Sequence, residues 1–144
     1  MPRPHTPVIA ADAIIELLDH PDRPIVLIER KNPPPGWAIP GGFVDIGESV
    51  PDAAVREALE ETRMDVRLRC LLGVYSKPDR DPRGHTVSMI YVAEAHGEPV
   101  AADDAANVGI FDPAAIDVAL AFDHAQILRD YLEYRRTGVV PAIT

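Results

Sequence analysis

Seven acidic residues fall between Gly42 and Asp65: Asp45, Glu48, Asp52, Glu57, Glu60, Glu61 and Asp65. Only Arg56 and Arg63 oppose them, so one sixth of the chain holds five of its nine net negative charges. On a helix, Glu57, Glu60 and Glu61 are related as i, i+3 and i+4 and project from one face. Like charges at that spacing repel by a few tenths of a kcal/mol per pair, so a helix does not gather them for its own stability. A divalent cation would remove the repulsion. Oxygen-only ligands suit a hard ion such as Mg²⁺ or Mn²⁺, which keeps several waters and shares its shell with phosphate oxygens. The plain alternative is a solvated acidic helix face.

The helix that must carry these residues is expected over 49–62. Ser49 followed three residues later by Asp52 has the spacing of a capping box, and Pro51 is tolerated in a first turn. Val55, Ala58, Leu59 and Thr62 give it an inward stripe. Before it, Val8 to Leu18 and Ile25 to Glu29 read as two strands joined by the turn Asp19 to Pro24, a hairpin. Lys31 to Gly42 is a rigid loop rich in Pro and Gly, and Phe43 to Ile46 a short strand. Gly41 and Gly42 permit tight backbone approach beside the helix. After it come strands over 66–75 and 85–95, separated by the polar loop Ser76 to Gly84. An acidic loop, His96 to Asn107, leads to a short strand over 108–111. A last amphipathic helix over 123–136 carries Ile127, Leu128, Tyr131, Leu132 and Tyr134 at helical spacing, and Gly138 stops it. This order predicts a mixed sheet with helices packed on it.

The 144 residues suit one domain, 1–144, with a single core. Hydrophobic residues at 47% and charged residues at 26% mark a globular chain. Lys and Arg number 14 against 23 Asp and Glu, which argues against a grip on nucleic acid or anionic membrane, since both need a basic face. The one cysteine, Cys70, has no partner for an internal disulfide and sits in an apolar run, so a buried core thiol is expected. The opening MPRPHTPVIAADAI lacks a charged start followed by a long apolar stretch. No run approaches the ~18 apolar residues of a membrane span. Cytoplasm is the expected location.

Written out, the acidic segment is Gly42, five residues, Glu48, seven residues, then Arg56-Glu57-Ala58-Leu59-Glu60-Glu61-Thr62-Arg63-Met64. It closely resembles the Nudix box, G-x5-E-x7-R-E-U-x-E-E-x-G-U with U apolar, over 42–64. Gly42, Glu48, Arg56, Glu57, Glu60 and Glu61 fall on its specified positions. The late glycine of the box is Arg63 here. A non-glycine residue there either turns differently or accepts a left-handed conformation at a cost of ~1 kcal/mol. The stretches WAIPGGFVDIGES, RDPRGHTVS and LAFDHAQILRDYL look like the bacterial and archaeal ADP-ribose pyrophosphatase branch, and Pro78, 14 residues beyond Met64, is near where that branch tends to carry a proline.

The resemblance implies an α/β/α sandwich with a mixed central sheet. It implies hydrolysis of a nucleoside diphosphate linked to another moiety, first of all ADP-ribose to AMP and ribose 5-phosphate. A (deoxy)nucleoside triphosphate or another nucleotide sugar is the nearest alternative substrate. A ligand sensor without turnover and an acidic interaction domain are rivals of other classes. By resemblance, Glu57 and Glu61 are the main ligands of Mg²⁺ (or Mn²⁺), Glu60 joins them or polarises a bound water, and the Gly41 carbonyl is a further ligand. Arg56, four residues before Glu60, is expected to pair with it and hold its orientation, and Glu48 orders the loop or stands near the metal. A general base is expected from the late loop, Asp104 or Glu98, with Asp103 beside them. Arg30, Arg80, Arg83 and His85 are candidates for phosphate and sugar contacts, since Arg forks onto phosphate, and each also suits an ordinary loop role. Trp37 and Phe43 either stack on a base or pack under the loop. His5, His20, His96 and His124 carry no expected role. The expected partners are a small-molecule nucleotide and, as in many relatives, a second copy in a homodimer.

Overall fold

The first apolar run forms β1 (Val8–Leu17), the hub of the sheet in a computed structural model that describes residues 2–102 and 105–143. After it come β2 (Ile25–Arg30), β3 (Trp37–Ala38), β4 (Gly41–Phe43), α1 (Val50–Thr62), β5 (Arg67–Tyr75), β6 (Thr86–Ala95), β7 (Ala105–Phe111) and α2 (His124–Thr137). One edge of β1 runs parallel to β6 along its whole length, from Val8↔Thr86 to Leu17↔Ala95, and β6 pairs antiparallel with β5. The other edge is divided. Ala10, Ala11 and Asp12 pair with β4, and only Glu16↔Ile25 joins β1 to β2. β2 carries the sheet on, antiparallel to β7 and to the short β3. The sheet is therefore mixed, as expected.

Three local expectations are corrected. The predicted hairpin of β1 and β2 is a contact at one residue pair, because β4 occupies the rest of that edge. The short strand lies at Gly41–Phe43 and not at 43–46; its glycines give no alternation from which a strand could be read. β7 begins at Ala105, inside the expected acidic loop, and pairs along β2.

Side-chain alternation along β1 feeds two layers. Ile14, with Ile25, Leu27, Ile90 and Val92, meets Ile127, Leu128 and Tyr131 of α2. Ala13, Ile15 and Leu17, with Val26 and Ala93, meet Ala58 of α1. The two helices thus cover opposite faces, the α/β/α arrangement. Burial of each large aliphatic side chain in these layers contributes roughly 1.5–3 kcal/mol. The inward face of α1 differs from the expected stripe: Ala53, Ala54, Ala58, Glu61 and Thr62 are buried, while Leu59 is 47% exposed. Small residues let α1 lie close on Ala11, and that closeness brings Glu61 under the surface.

α1 starts as its sequence predicts, with the Ser49 Oγ accepting from the Asp52 N–H at 3.2 Å. At its other end Arg63 takes the left-handed turn at φ 61°, and its N–H reaches the Leu59 carbonyl at 2.9 Å. The last carbonyls are also satisfied, because Thr62 and Glu61 accept from the Val100 and Ala102 N–H groups at 2.9 and 3.2 Å. On the α2 side, fully buried Glu16 accepts from Arg69 at 3.0 Å and from the Tyr131 hydroxyl at 2.6 Å. Cys70 is half-buried at the edge of that layer, not fully buried as expected, and its thiol donates to the Tyr134 hydroxyl at 3.3 Å. Gly138 closes α2 at φ 75°. No helix among the described residues is long and apolar enough to cross a membrane.

Arg63 in a left-handed conformation costs ~1–2 kcal/mol, and glycine there adds unfolded-chain entropy of ~0.4–1 kcal/mol. Arg63→Gly is therefore expected to stabilise the protein by about 0.5–1 kcal/mol, read as a shifted midpoint in urea unfolding. A lowered midpoint would show that the arginine side chain contributes more than the strain.

Candidate active site

β4 is a strand without side chains at its first two positions, and the site depends on that. A Cβ on Gly41 would stand 1.8 Å from Asp12 Oδ1 and 2.6 Å from the Ala11 carbonyl oxygen. One on Gly42 would stand 2.6 Å from the Glu57 carboxyl carbon. Only glycine leaves room for these carboxylates. The Gly41 N–H also donates to Glu61 Oε1 at 2.7 Å. Acids from β1 and α1 thus meet at β4: Asp12, Glu57 and Glu61 line one cavity of about 270 Å³. Burial pushes the carboxyls of Asp12 and Glu61 up to about 8 and that of Glu57 upward as well; the charge on Glu57 adds to the rise in the other two.

Arg56 orders the acidic rim. Its Nε and Nη2 fork onto Glu48 at 2.6 and 2.9 Å, and its Nη1 donates to Glu57 at 2.9 Å and to Glu60 at 3.2 Å. Nη2 also reaches the Phe43 carbonyl at 3.1 Å. The expected pair with Glu60 is one strand of a larger net. Arg56 beside it, and the Asp45 N–H after that, hold the Glu48 carboxyl down at about 2. Glu60 is 47% exposed, tied to Arg56, and does not line the cavity.

Cationic and aromatic groups line the rest of the cavity. Arg80 is buried and fully engaged: Nε and Nη2 fork onto Asp123 at 2.9 and 2.7 Å, and Nη1 donates to Ser88 at 2.7 Å. Asp123 therefore offers α2 no side-chain cap. Arg83 forks onto buried Asp81, whose carboxyl burial would raise but which the hydrogen bonds and charge of Arg83 hold below its usual range. Arg30 donates to the Pro34 carbonyl at 2.9 Å; burial and then nearby Arg83 lower its pKa. Both Arg30 and Arg83 lie over the ring of Phe122, a residue at φ 55°. A non-glycine residue there costs ~1–3 kcal/mol. His124 is buried, and its Nδ1 accepts from the Ile39 N–H at 3.0 Å. Burial pushes its imidazole down to about 4, so it is neutral at pH 7 with the proton on Nε2.

The other expected residues stand elsewhere. His85 lines an adjoining cavity of about 530 Å³ that shares Phe43 and Arg83 with the first, and its Nε2 contacts the Ser76 carbonyl at 2.9 Å. Phe43 lines both cavities, 44% exposed. Trp37 packs under the loop, edge to face on Phe111 at 5.3 Å, and does not line the main cavity. Glu98 pairs with His20 at 3.0 Å, also away from that cavity. Asp104 and Asp103 lie outside the described residues. Asp12, Phe122 and His124 are cavity residues that sequence reasoning missed. The first had a signal, an acid within an apolar strand; the other two had none beyond their place in the late LAFDHAQILRDYL stretch.

The donor set fits a hard divalent ion. Among the described residues no three acidic, imidazole or thiol groups form a complete metal shell. Mg²⁺ does not require one: it takes one or two carboxylates and keeps waters and phosphate oxygens for the rest. Glu57 and Glu61, beside the glycine cradle of β4, supply that number.

Known proteins resemble this chain in sequence and in fold. The NUDIX domain profile matches residues 7–133. An ADP-ribose pyrophosphatase of Methanocaldococcus jannaschii is 46% identical over 132 residues, covering 90% of this chain and 75% of that protein. A bifunctional NMN adenylyltransferase/ADP ribose pyrophosphatase of Francisella tularensis, solved with AMP and a Mn ion, is similar at TM-score 0.77 and 30% identity, over 89% of this chain and 42% of that one. The NUDIX domain of Shewanella oneidensis NrtR, solved with ADP ribose, is similar at TM-score 0.78 and 25% identity, over 92% and 90% of the two chains. A profile match across nearly the whole chain, together with relatives that share its sheet and helices, makes this protein a member of the Nudix hydrolase family.

Proposed function

We propose that this enzyme hydrolyses the diphosphate linkage of ADP-ribose, with Mg²⁺, to AMP and ribose 5-phosphate. The observation that carries the reading is one cavity holding buried carboxylates beside guanidinium groups, together with 46% identity to an ADP-ribose pyrophosphatase. A diphosphate is an anion, and a wall of carboxylates alone would repel it. Bound Mg²⁺ neutralises phosphate charge and lowers the pKa of water for in-line attack at phosphorus. Glu57 and Glu61 would hold the ion, with the Gly41 carbonyl as a further ligand, and Glu60, tied to Arg56 outside the cavity, would act through a bound water. Arg56 fixes the carboxylates of Glu57 and Glu60, and its fork on Glu48 fixes Arg56 in turn. Asp104 is assigned as the base that takes the water proton; Glu98 is already paired with His20. The attacking water adds to one phosphorus, the bridging P–O bond breaks, and each product leaves with one phosphate.

Turnover of ADP-ribose with Mg²⁺ is expected, and Glu57→Gln or Glu61→Gln should lower kcat by about 100-fold or more. A panel with NADH, dinucleoside polyphosphates and (deoxy)nucleoside triphosphates checks the substrate. Inert ADP-ribose with a hydrolysed triphosphate would replace the substrate, and no turnover with Mg²⁺ or Mn²⁺ would favour a ligand sensor. Asp104→Asn should cost roughly 10²–10⁴ in kcat; an unchanged rate would remove Asp104 as the base.

The buried carboxyls also predict a pH dependence. Asp12 and Glu61 bind protons more tightly folded, at about 8, than unfolded, near 4. Their contribution is complete below the unfolded value and is lost as pH rises through the folded one. His124 has the opposite sign, but its window closes near its ordinary value of ~6.5. Metal-free protein should therefore melt at falling temperature as pH rises toward about 8, most steeply from about pH 6.5 to about pH 8, and Mg²⁺ should flatten the slope. Parallel slopes with chelator and with Mg²⁺, in differential scanning calorimetry, would contradict this.

A further inference from the structure

Phe122 stands where the chain turns from the Trp37↔Leu120 bridge into α2, and it makes the turn at φ 55°. Glycine or asparagine is the usual occupant of that conformation. A bulky aromatic kept there against its backbone preference points to a demand on the ring itself. The ring lines the cavity that holds Glu57 and Glu61. The guanidinium carbon of Arg30 lies 4.8 Å from its centroid and that of Arg83 lies 5.1 Å from it. Arg83 lies equally close, 5.1 Å, to the ring of Phe43. Phe43, Arg83, Phe122 and Arg30 thus alternate ring and cation along one wall.

Two guanidinium groups gathered on one ring repel each other, and the quadrupole of the ring opposes that repulsion. Arg83 is partly neutralised by its fork on Asp81. Arg30 is not: its hydrogen bonds go to the Pro33 and Pro34 carbonyls, and among the described residues it has no carboxylate within salt-bridge distance. The third arginine of the cavity, Arg80, has its fork closed on Asp123 and its Nη1 on Ser88. Among the arginines of the cavity, the N–H groups that neither a carboxylate fork nor a buried hydroxyl holds therefore lie with the pair on the aromatic ladder: Arg30, and Arg83 through Nη1, outside its fork on Asp81. An anion with two adjacent phosphoryl groups complements two guanidinium cations held side by side.

We propose that Phe122 is a positioning residue: its ring presents Arg30 and Arg83 together to the diphosphate of the substrate, and these two, not Arg80, are the arginines that hold it. The proposal rests on the reading of the cavity as a diphosphate site. Phe122 acts through the arginines, so it governs capture of the anion more than the chemical step.

The test uses the full chain with Mg²⁺ and ADP-ribose. Phe122→Leu, which keeps bulk and loses the ring, should raise KM about 5- to 20-fold while kcat moves less than about threefold. Phe122→Tyr, which restores the ring, should return KM to within about twofold of the wild type. Phe122→Gly should melt no lower than the wild type, because the turn is relieved, and still show the raised KM; a merely structural role would couple the two readouts. The same variants are titrated with inorganic pyrophosphate and Mg²⁺ by calorimetry. The same order of affinities there, with ADP-ribose inert, sinks the substrate assignment and supports the ladder. Wild-type KM in Phe122→Leu, or a raised KM that tyrosine does not restore, overturns the proposal.

Discussion

A single steric constraint organises the molecule: at Gly41 and Gly42 there is no room for a Cβ. The space a side chain would need is filled by the carboxylates of Asp12 and Glu57. Because β4 is that thin, it can add to the edge of β1 while α1 comes down beside it. Acids distant in sequence then converge, and a backbone N–H from the same strand meets Glu61. The small residues of α1 serve the same end. Ala53, Ala54 and Ala58 bring the helix axis close to the sheet, and the outward Leu59 shows that the face was selected for closeness, not for apolar area.

Convergence of acids carries an electrostatic cost, and the surrounding structure meets it in two ways. On the exposed rim, Arg56 spends its whole guanidinium on Glu48, Glu57, Glu60 and the Phe43 carbonyl, so the charged rim is paired and rigid. In the buried part, among the described residues, no cation pairs directly with Glu61; Arg30 acts on it only from a distance, and burial disfavours its charged form. The net charge of −9 is therefore partly local chemistry. The pocket nonetheless keeps arginines on its wall within an acidic protein, so cationic and anionic side chains face one cavity.

The box segment was legible because its logic is local. Helix periodicity sets Glu57, Glu60 and Glu61 on one face, Ser49 caps the helix, and a fixed spacing carries the glycine and Arg56 with them. The departure at Arg63 was legible too, and the chain takes the left-handed turn regardless. What could not be seen depends on pairing between distant segments. Asp12 reaches the site only because β1 lies against β4; Phe122 and His124 arrive with the start of α2, from the far end of the chain. The apparent hairpin failed for the same reason, since a competing strand later in the chain took most of the shared edge. Arginines in polar loops were visible as candidates, but which of them keeps its charge available was decided by the carboxylates that the fold placed beside them.

The parallel ladder of β1 and β6 also bears on how the protein is made. β1 leaves the ribosome well before its longest partner, which begins at Thr86. Until β6 has been synthesised, an Ala- and Ile-rich strand has one edge without a ladder, and the carboxylates of Asp12 and Glu16 break up what would otherwise be a continuous apolar run. Long-range parallel pairing is slow to form because loop closure precedes any gain from contact, and an open strand edge in the meantime is an invitation to aggregate. The same two acids that serve the cavity and the α2 layer in the finished protein thus act, during synthesis, as charged gatekeepers on the strand around which everything else assembles.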